Sequence, residues 1–151
     1  YLKYDTIEDS MGYYIARCFF GCEFKLFKHF KIHGFDSMTP PQAGILVKLS
    51  ETEDGMHQTE IATKLIKHKT SVTRMIDSLD KNGYITKAPN PEDRRQSIIK
   101  LTEKGKKTAV TLKKISYQLL NEHFKDFTEE EIATLKTLLT KLYNNIENTL
   151  N

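Results

Sequence analysis

The side chains best suited to chemistry in this sequence lie between Gln58 and Thr102, and they are suited to binding an anionic duplex. Ser71, Thr73 and Arg74 fall outside the apolar stripe of a predicted helix. Arginine can pair bidentately with guanine, and serine and threonine hydroxyls can reach a base or a phosphate. Arg94 lies at the tip of a predicted hairpin, where it could enter a narrow minor groove. These residues predict contact with double-stranded DNA.

Other polar and basic residues surround these positions and complete the candidate interface. Those on the first helix of the stretch are expected to contact phosphates, because that helix crosses the DNA backbone in helix-turn-helix proteins. Any one of these residues alone is more often a solvated surface residue, so the prediction depends on the combination. The predicted DNA-binding residues are Gln58, Thr59, Lys64, Lys69, Thr70, Ser71, Thr73, Arg74, Arg94 and Arg95.

Two short helices joined by a tight turn must position the first of these side chains. Ala62 on the first helix is small enough to let the two helices approach closely. Residues 67–69 are predicted to form the turn, with Thr70 or Ser71 as the cap of the second helix. Gly83 follows Asn82 and ends that helix. The apolar residues expected to face inward are Ile61, Ala62, Leu65, Ile66, Val72, Met75, Ile76 and Leu79.

A two-stranded hairpin with a basic tip must position the remaining side chains. The first strand begins at Tyr84, the turn spans residues 89–95, and the second strand is Ser97–Leu101. Two prolines stiffen the tip. Upstream, the polar residues 51–57 are expected to form a loop, because nothing in them indicates a strand. A helix-turn-helix followed by such a ribbon is a winged helix.

Long helices are predicted on both sides of the winged helix. Residues 7–33 form one helix that is apolar over most of its girth, which is typical of a helix contacted on two sides. We expect this subunit's core on one side and a partner subunit on the other. Thr39 caps a short helix that begins at Pro40. Thr102 opens another helix, and Thr128 opens the last one, whose apolar residues alternate at three and four.

The predicted fold is mainly α with a small β-hairpin, in one compact chain without an independent second domain. Residues 1–36 and 103–151 are expected to be dimerisation helices, and residues 37–102 the winged helix-turn-helix DNA-binding region. The net charge is only +3, but residues 57–107 hold 12 Lys and Arg against 6 Asp and Glu. The remainder holds 11 against 14. The basic excess therefore lies in the predicted DNA-binding region.

Several classes of protein are disfavoured by the sequence. No uncharged apolar run approaches the roughly 20 residues that cross a membrane, and the first residues lack a secretory pattern. The two cysteines, four apart on a predicted helix, fit a reducing compartment. Without a nucleophile elbow, a P-loop or a dinucleotide glycine motif, an enzyme is not expected. We therefore predict a cytoplasmic protein without membrane contact or cofactor.

The hairpin also carries a family resemblance. Asp93-Arg94-Arg95, five residues and then Leu101-Thr102 resemble the wing signature Asp-x-Arg-x5-Leu-Thr of the MarR (multiple antibiotic resistance regulator) family. The likeness extends to the segment VTRMIDSLDKNGYI and to Thr39 and Gln42. It implies a homodimer with interlocked terminal helices that binds a pseudo-palindromic operator. It also implies that Arg94 is the minor-groove residue and that Asp93 and Arg95 form an ion pair that shapes the wing.

Most proteins of the resembled family are repressors released by a small ligand or by thiol oxidation. Cys18 and Cys22, with Tyr14 nearby, are candidates for a redox switch, although buried cysteine is commonly a small hydrophobe. His29 and His33 have the i, i+4 spacing of two zinc ligands, but two ligands do not make a site, and no metal site is predicted. A small aromatic or carboxylate ligand between the dimer helices and the winged helix is the further candidate.

One alternative keeps the fold and changes the function. A winged helix can serve as a protein–protein interaction module without an operator. DNA affinity that falls steeply with salt and is lost on Arg94→Ala would belong only to the DNA-binding protein.

Overall fold

The computed structural model describes residues 6–65, 69–93 and 96–149, without the side chains of Lys69 and Thr70. Within these ranges the fold is mainly α with a small antiparallel sheet, as predicted. The elements in chain order are a 3-10 turn (Ile7–Asp9), α1 (Met11–Ile32), α2 (Pro40–Leu49), β1 (Met56–His57), α3 (Gln58–Lys64), α4 (Lys69–Lys81), β2 (Ile85–Pro89), β3 (Ser97–Leu101), α5 (Glu103–His123) and α6 (Glu129–Thr149).

The sheet has the strand order β1-β3-β2 and is antiparallel throughout. Ile85 pairs with Leu101 at the base of the hairpin, and Pro89 pairs with Ser97 near its tip. The turn therefore begins one residue later than predicted, because Pro89 still belongs to β2. The hairpin, which we call the wing, comprises β2, β3 and residues 90–96 between them.

The short strand β1 corrects the prediction of a loop over residues 51–57. Met56 is buried and pairs with Ile99 of β3, and His57 pairs with Ile98. Gly55 makes this approach possible: its φ is +82°, and a Cβ placed there would lie 2.5 Å from the carbonyl oxygen of Ile99. The strand is held by a distant partner and not by its own residue pattern, which is why the local sequence did not indicate it.

The prediction for the first helix is wrong at its start and right at its end. At the start, Ile7–Asp9 form a separate 3-10 turn, and α1 begins only after Ser10, whose extended backbone and Oγ cap the helix by accepting from the N–H of Tyr13 at 3.1 Å. At the other end, Gly34 has a φ of +86° and ends the helix, as predicted. The single long helix over residues 7–33 is thus shorter than expected at its start.

The chain divides into two compact units, Tyr1–Ser116 and Tyr117–Asn151. In the first unit, one core joins α1, α2, the helix-turn-helix, the sheet and the first part of α5. Val72, Ile76 and Leu79 of α4 are fully buried and Met75 is half-buried, which confirms the predicted inward stripe. The largest fully buried side chains are Phe30, Ile45, Leu46, Leu49, Ile61, Val72, Ile76, Leu79, Ile85, Ile99 and Leu112.

The second unit contains the last part of α5 and all of α6. Thr128 and Glu131 form the predicted capping box: Thr128 N–H donates to Glu131 Oε2 at 2.8 Å, and Glu131 N–H donates to Thr128 Oγ1 at 3.2 Å. No residue of α6, which the structure describes in full, is buried. An open groove of about 400 Å³ is lined by Phe124, Ile132, Leu135, Lys136, Leu139, Thr140 and Tyr143.

Candidate nucleic-acid interface

The exposed side of α4 carries three of the predicted DNA-binding residues. Ser71, Thr73 and Arg74 are all exposed, and they lie opposite the buried stripe of the same helix. We call this side the recognition face. In the described part of the chain no carboxylate forms an ion pair with Arg74, so its guanidinium remains available to a ligand. The arrangement can present hydrogen-bond donors and one positive charge to a duplex groove.

The described part of α4 begins two or three residues earlier than predicted. Lys69 and Thr70 belong to the helix, whereas Lys69 was expected in the turn and Thr70 at the cap. Both residue types fit the first turn of a helix, so the sequence pattern alone does not place this boundary. The side chains of both residues, and residues 66–68 with the predicted inward Ile66, lie outside the described part of the chain.

Helix α3 carries three further predicted DNA-binding residues, Gln58, Thr59 and Lys64. Thr59 and Lys64 are exposed, and Gln58 is half-buried. The side-chain amide of Gln58 donates a hydrogen bond to Thr73 Oγ1, which brings two predicted contact residues together across the helix pair. The start of α3 is held by Glu60, whose carboxylate accepts from the backbone N–H of His57 at 2.9 Å.

Helix α2 is tied to α4 by a residue to which the sequence assigned no contact. Gln42 Oε1 accepts from the N–H of Thr39 at 3.0 Å, which completes a capping box at the start of α2. The Nε2 of the same side chain donates to Ser78 Oγ at 3.2 Å. One glutamine therefore caps one helix and positions another.

The described residues of the wing's turn are joined by hydrogen bonds among their own polar groups. The N–H of Asn90 donates to the carbonyl of Gln96 at 3.0 Å, and the side chain of Asn90 accepts from the N–H of Glu92 at 3.0 Å. Asp93 is half-buried, and its Oδ2 accepts from Gln96 Nε2 at 3.3 Å. Arg94 and Arg95 lie outside the described residues, and so does the predicted ion pair between Asp93 and Arg95.

The wing also contacts α4 through an ion pair that sequence reasoning missed. Lys87 Nζ of β2 pairs closely with Asp77 Oδ1 and lies 3.8 Å from Asp80 Oδ2. Asp77 and Asp80 are three residues apart on α4 and so share a side of the helix. The one available signal was the alternation of the strand, which puts Lys87 on the same side as the buried Ile85.

A third set of contacts joins the end of α4 to the start of α5. Thr102 N–H donates to the carbonyl of Tyr84 at 3.1 Å, and its Oγ1 donates to the carbonyl of Gly83 at 2.7 Å. Lys104 Nζ donates to the carbonyl of Asn82 at 2.7 Å and lies 4.3 Å from the centre of the Tyr84 ring. The predicted role of Thr102 at the start of the helix is confirmed, since Oγ1 also accepts from the N–H of Gly105 at 3.0 Å. We call these contacts the α4–α5 joint.

The effector candidates all lie on or next to α1. Cys18 and Cys22 are exposed and form no disulfide with each other, and half of the Tyr14 surface is exposed. His33 Nδ1 lies 2.7 Å from the carbonyl oxygen of His29, which gives that ring nitrogen a backbone partner. Among the residues described, no three His, Cys, Asp or Glu side chains are grouped to hold a metal ion. The same residues include no helix that is both long enough and apolar enough to span a bilayer.

Comparison with known proteins matches the winged-helix region and extends beyond it. The family model for the MarR family matches residues 38–97. The HTH-type transcriptional repressor IacR of Pseudomonas putida is 27% identical over 89 residues, which is 59% of this chain and 53% of IacR. The HTH-type transcriptional regulator YsmB of Bacillus subtilis is 31% identical over 111 residues, 74% of this chain and 75% of YsmB. The chain thus spans about half of IacR and three quarters of YsmB.

A solved structure agrees over nearly the whole chain. The transcriptional repressor CouR, bound to a 23-mer DNA duplex, superimposes with a TM-score of 0.80 and 25% sequence identity. The match covers 95% of this chain and 99% of CouR. The predicted winged-helix fold is confirmed by this similarity.

Proposed function

The chain belongs to the MarR family of transcriptional regulators, which are not enzymes, and from that premise we propose that it acts as a homodimeric repressor. Each subunit places the recognition face of α4 in a major groove of a pseudo-palindromic operator and Arg94 in the flanking minor groove. A small ligand or thiol oxidation releases the DNA. The DNA complex of CouR supports a duplex as the partner.

The observation that carries this proposal is the recognition face, exposed on a helix that three other elements hold in place. Gln58 of α3, Gln42 of α2 and Lys87 of β2 each contact α4 by a side chain. Preorganised side chains lose less conformational entropy when they bind. Ser71, Thr73 and Arg74 are assigned to base edges, and Gln58, Thr59, Lys64, Lys69 and Thr70 to phosphates. Arg95 binds with Arg94 at the wing, and Asp93 shapes it.

The exposed apolar surface of each unit supports a homodimer. In α6, Leu138 is 58% exposed and Ile146 is 48% exposed, although both are apolar. In α1, Phe20 is 65% exposed, and Phe30 is the one residue of this fully described helix that is buried. Apolar surface of this extent is rarely left in water and marks an interface. We assign residues 1–36 and 103–151 to dimerisation and residues 37–102 to DNA binding.

Selection of duplexes from a randomised pool tests DNA binding and identifies the operator sequence at the same time. We expect the protein to enrich a sequence with two half-sites about one helical turn apart, because a two-fold dimer reads two symmetric sites. The affinity for that duplex should fall steeply as salt rises, since each neutralised phosphate releases counterions. Arg94→Ala should abolish the tight binding. A protein that enriches no sequence and binds no duplex at low salt would instead be a protein–protein interaction module.

A variant without cysteines distinguishes the two proposed ways of releasing the DNA. Peroxide should weaken binding to the selected duplex if oxidation is the signal, and the variant Cys18→Ser/Cys22→Ser should then be insensitive. If a ligand is the signal, aromatic carboxylic acids should weaken the DNA binding of the wild type and of the double variant equally. Unchanged affinity in both experiments would contradict the release mechanism and leave DNA binding intact.

A further inference from the structure

Beyond its first residue, strand β2 of the wing leaves the hydrophobic core. Ile85 is fully buried, whereas Thr86, Lys87, Ala88 and Pro89 of the same strand are exposed. The opposite strand is buried most deeply at Ile99, which pairs with Lys87. Core packing therefore holds the wing through β3 as far as Ile99, whereas β2 beyond Ile85 is held by its pairing with β3 and by side-chain contacts.

Lys87 supplies such a contact to α4. Strand alternation puts Lys87 on the same side as Ile85, and its ammonium group reaches Asp77 and Asp80. Asp77 lies one turn after the recognition face, since it follows Arg74 by three residues. The ion pair thus connects the exposed strand β2, at the level of the last fully buried residue of β3, to the helix that carries the recognition face.

We propose that Lys87 is a positioning residue that sets the direction of the wing relative to the recognition face. The proposal rests on the proposed DNA-binding function, and it assigns to Lys87 a role through Asp77 and not through a phosphate. Two reading elements bind one duplex together only when their separation matches that of the two grooves. A wing free to swing would lose conformational entropy on binding, and the affinity for DNA would be lower.

Two other roles for these residues predict different results. The side chains of Lys87, Asp77 and Asp80 are 31%, 59% and 43% exposed, and ion pairs at such sites contribute little to folding stability. A merely structural role would therefore leave DNA binding unchanged. If Lys87 instead bound a phosphate directly, Asp77 would only repel the DNA, and its removal would strengthen binding.

The sign of the effect of Asp77→Asn tests the proposal. The probe is the duplex that the wild-type protein selects from the randomised pool. We expect Asp77→Asn to weaken binding to this duplex by up to about fivefold, although the variant removes a negative charge from a helix that faces a polyanion. Asp80→Asn should have a smaller effect in the same direction because its carboxylate is farther from Lys87. Urea unfolding should show that the variants are as stable as the wild type.

A double-mutant cycle then separates positioning from direct phosphate contact. Asp77→Asn/Lys87→Gln should bind no more weakly than Lys87→Gln alone, because either change breaks the same ion pair. Lys100→Gln is the matched control, since Lys100 is an exposed lysine of β3 without a carboxylate partner among the described residues. The loss of DNA affinity caused by Lys100→Gln should add to the loss caused by Asp77→Asn.

Two results would overturn the positioning role. They are an Asp77→Asn variant that binds as tightly as the wild type or more tightly, and additive losses for Asp77 and Lys87. A wild-type protein that selects no duplex would refute the proposed function itself, so the two failures can be told apart.

Discussion

Arg74 and Lys64 are both exposed but lie on different helices of the helix-turn-helix, and they are expected to affect DNA binding differently. Arg74→Ala should relax the base preference at one position of each half-site, at a cost of about 1–3 kcal/mol, because arginine pairs bidentately with guanine. Lys64→Ala should weaken all sequences alike and lower the salt slope by about 1. Affinities on the selected duplex and on single-base variants of it measure both effects. Equal loss of base preference in the two variants would contradict this division of roles.

Gly105 leaves room in the α4–α5 joint for the backbone carbonyl of Tyr84, because it has no side chain. A Cβ at this position would lie 2.0 Å from the carbonyl oxygen of Tyr84, a distance at which the backbone must move. Gly105→Ala should therefore lower the free energy of unfolding, by about 1–3 kcal/mol, despite the better helix propensity of alanine.

Gly44→Ala is the matched control for this prediction. Gly44 also lies within a helix, but its added Cβ would only reach ordinary contact with Leu65, at 3.5 Å. Helix propensity should then dominate and raise the free energy of unfolding by up to about 1 kcal/mol. Urea unfolding measures both variants, and a shift of the same sign in the two would contradict the close approach at Gly105.

At the scale of single residues, the sequence predicts exposure better than it predicts contacts. The exposed positions of Ser71, Thr73 and Arg74 follow from the helical period of their apolar neighbours. By contrast, the hydrogen bond between Gln42 and Ser78 joins residues that are 36 positions apart. Such a contact depends on how the helices pack, and no local pattern encodes it.

At the scale of elements, α2 and α4 are coupled because one side chain serves both. Gln42→Ala removes a capping hydrogen bond and the link to Ser78, so it should lower the free energy of unfolding by about 2 kcal/mol. Ser78→Ala removes only the link and should cost about 1 kcal/mol or less. Equal losses in urea unfolding would show that the capping bond contributes nothing.

Several element boundaries were predictable because a local cap or glycine marks them. Thr39, Thr102 and Thr128 each begin a helix as expected, because a threonine hydroxyl accepts from the first turn. The start of α1 and the strand β1 were missed. The apolar pattern of the helix continues across Ser10, so the sequence did not show that this residue is the cap. Strand β1 forms only because it pairs with β3, which is distant in the sequence.

At the scale of the whole molecule, the proposed homodimer depends on the apolar side of α6. Leu139→Lys should weaken self-association by at least about 100-fold. A two-fold interface contains Leu139 twice, and each buried leucine contributes roughly 1.5 kcal/mol or more to the free energy of association. Binding to the selected duplex should fall with it, and thermal unfolding should lose its dependence on protein concentration. Sedimentation measures the association.

Asn144→Lys is the control for the same helix. Asn144 is exposed and lies five residues after Leu139, on the side away from the apolar residues. This variant adds the same charge and should leave self-association unchanged. If both variants dissociate the dimer, or if neither does, the dimer does not use the apolar side of α6.

The α4–α5 joint has a consequence for how the wing can vary in length. Since Thr102 binds the backbone of Gly83 and Tyr84, the base of the wing is closed by hydrogen bonds that do not involve its tip. Residues inserted between Asn90 and Gln96 would lengthen the tip that we propose enters the minor groove, and they would leave the junction of the two helices unchanged. Loop grafting at the tip could therefore redesign which DNA shapes are preferred without rebuilding the rest of the protein.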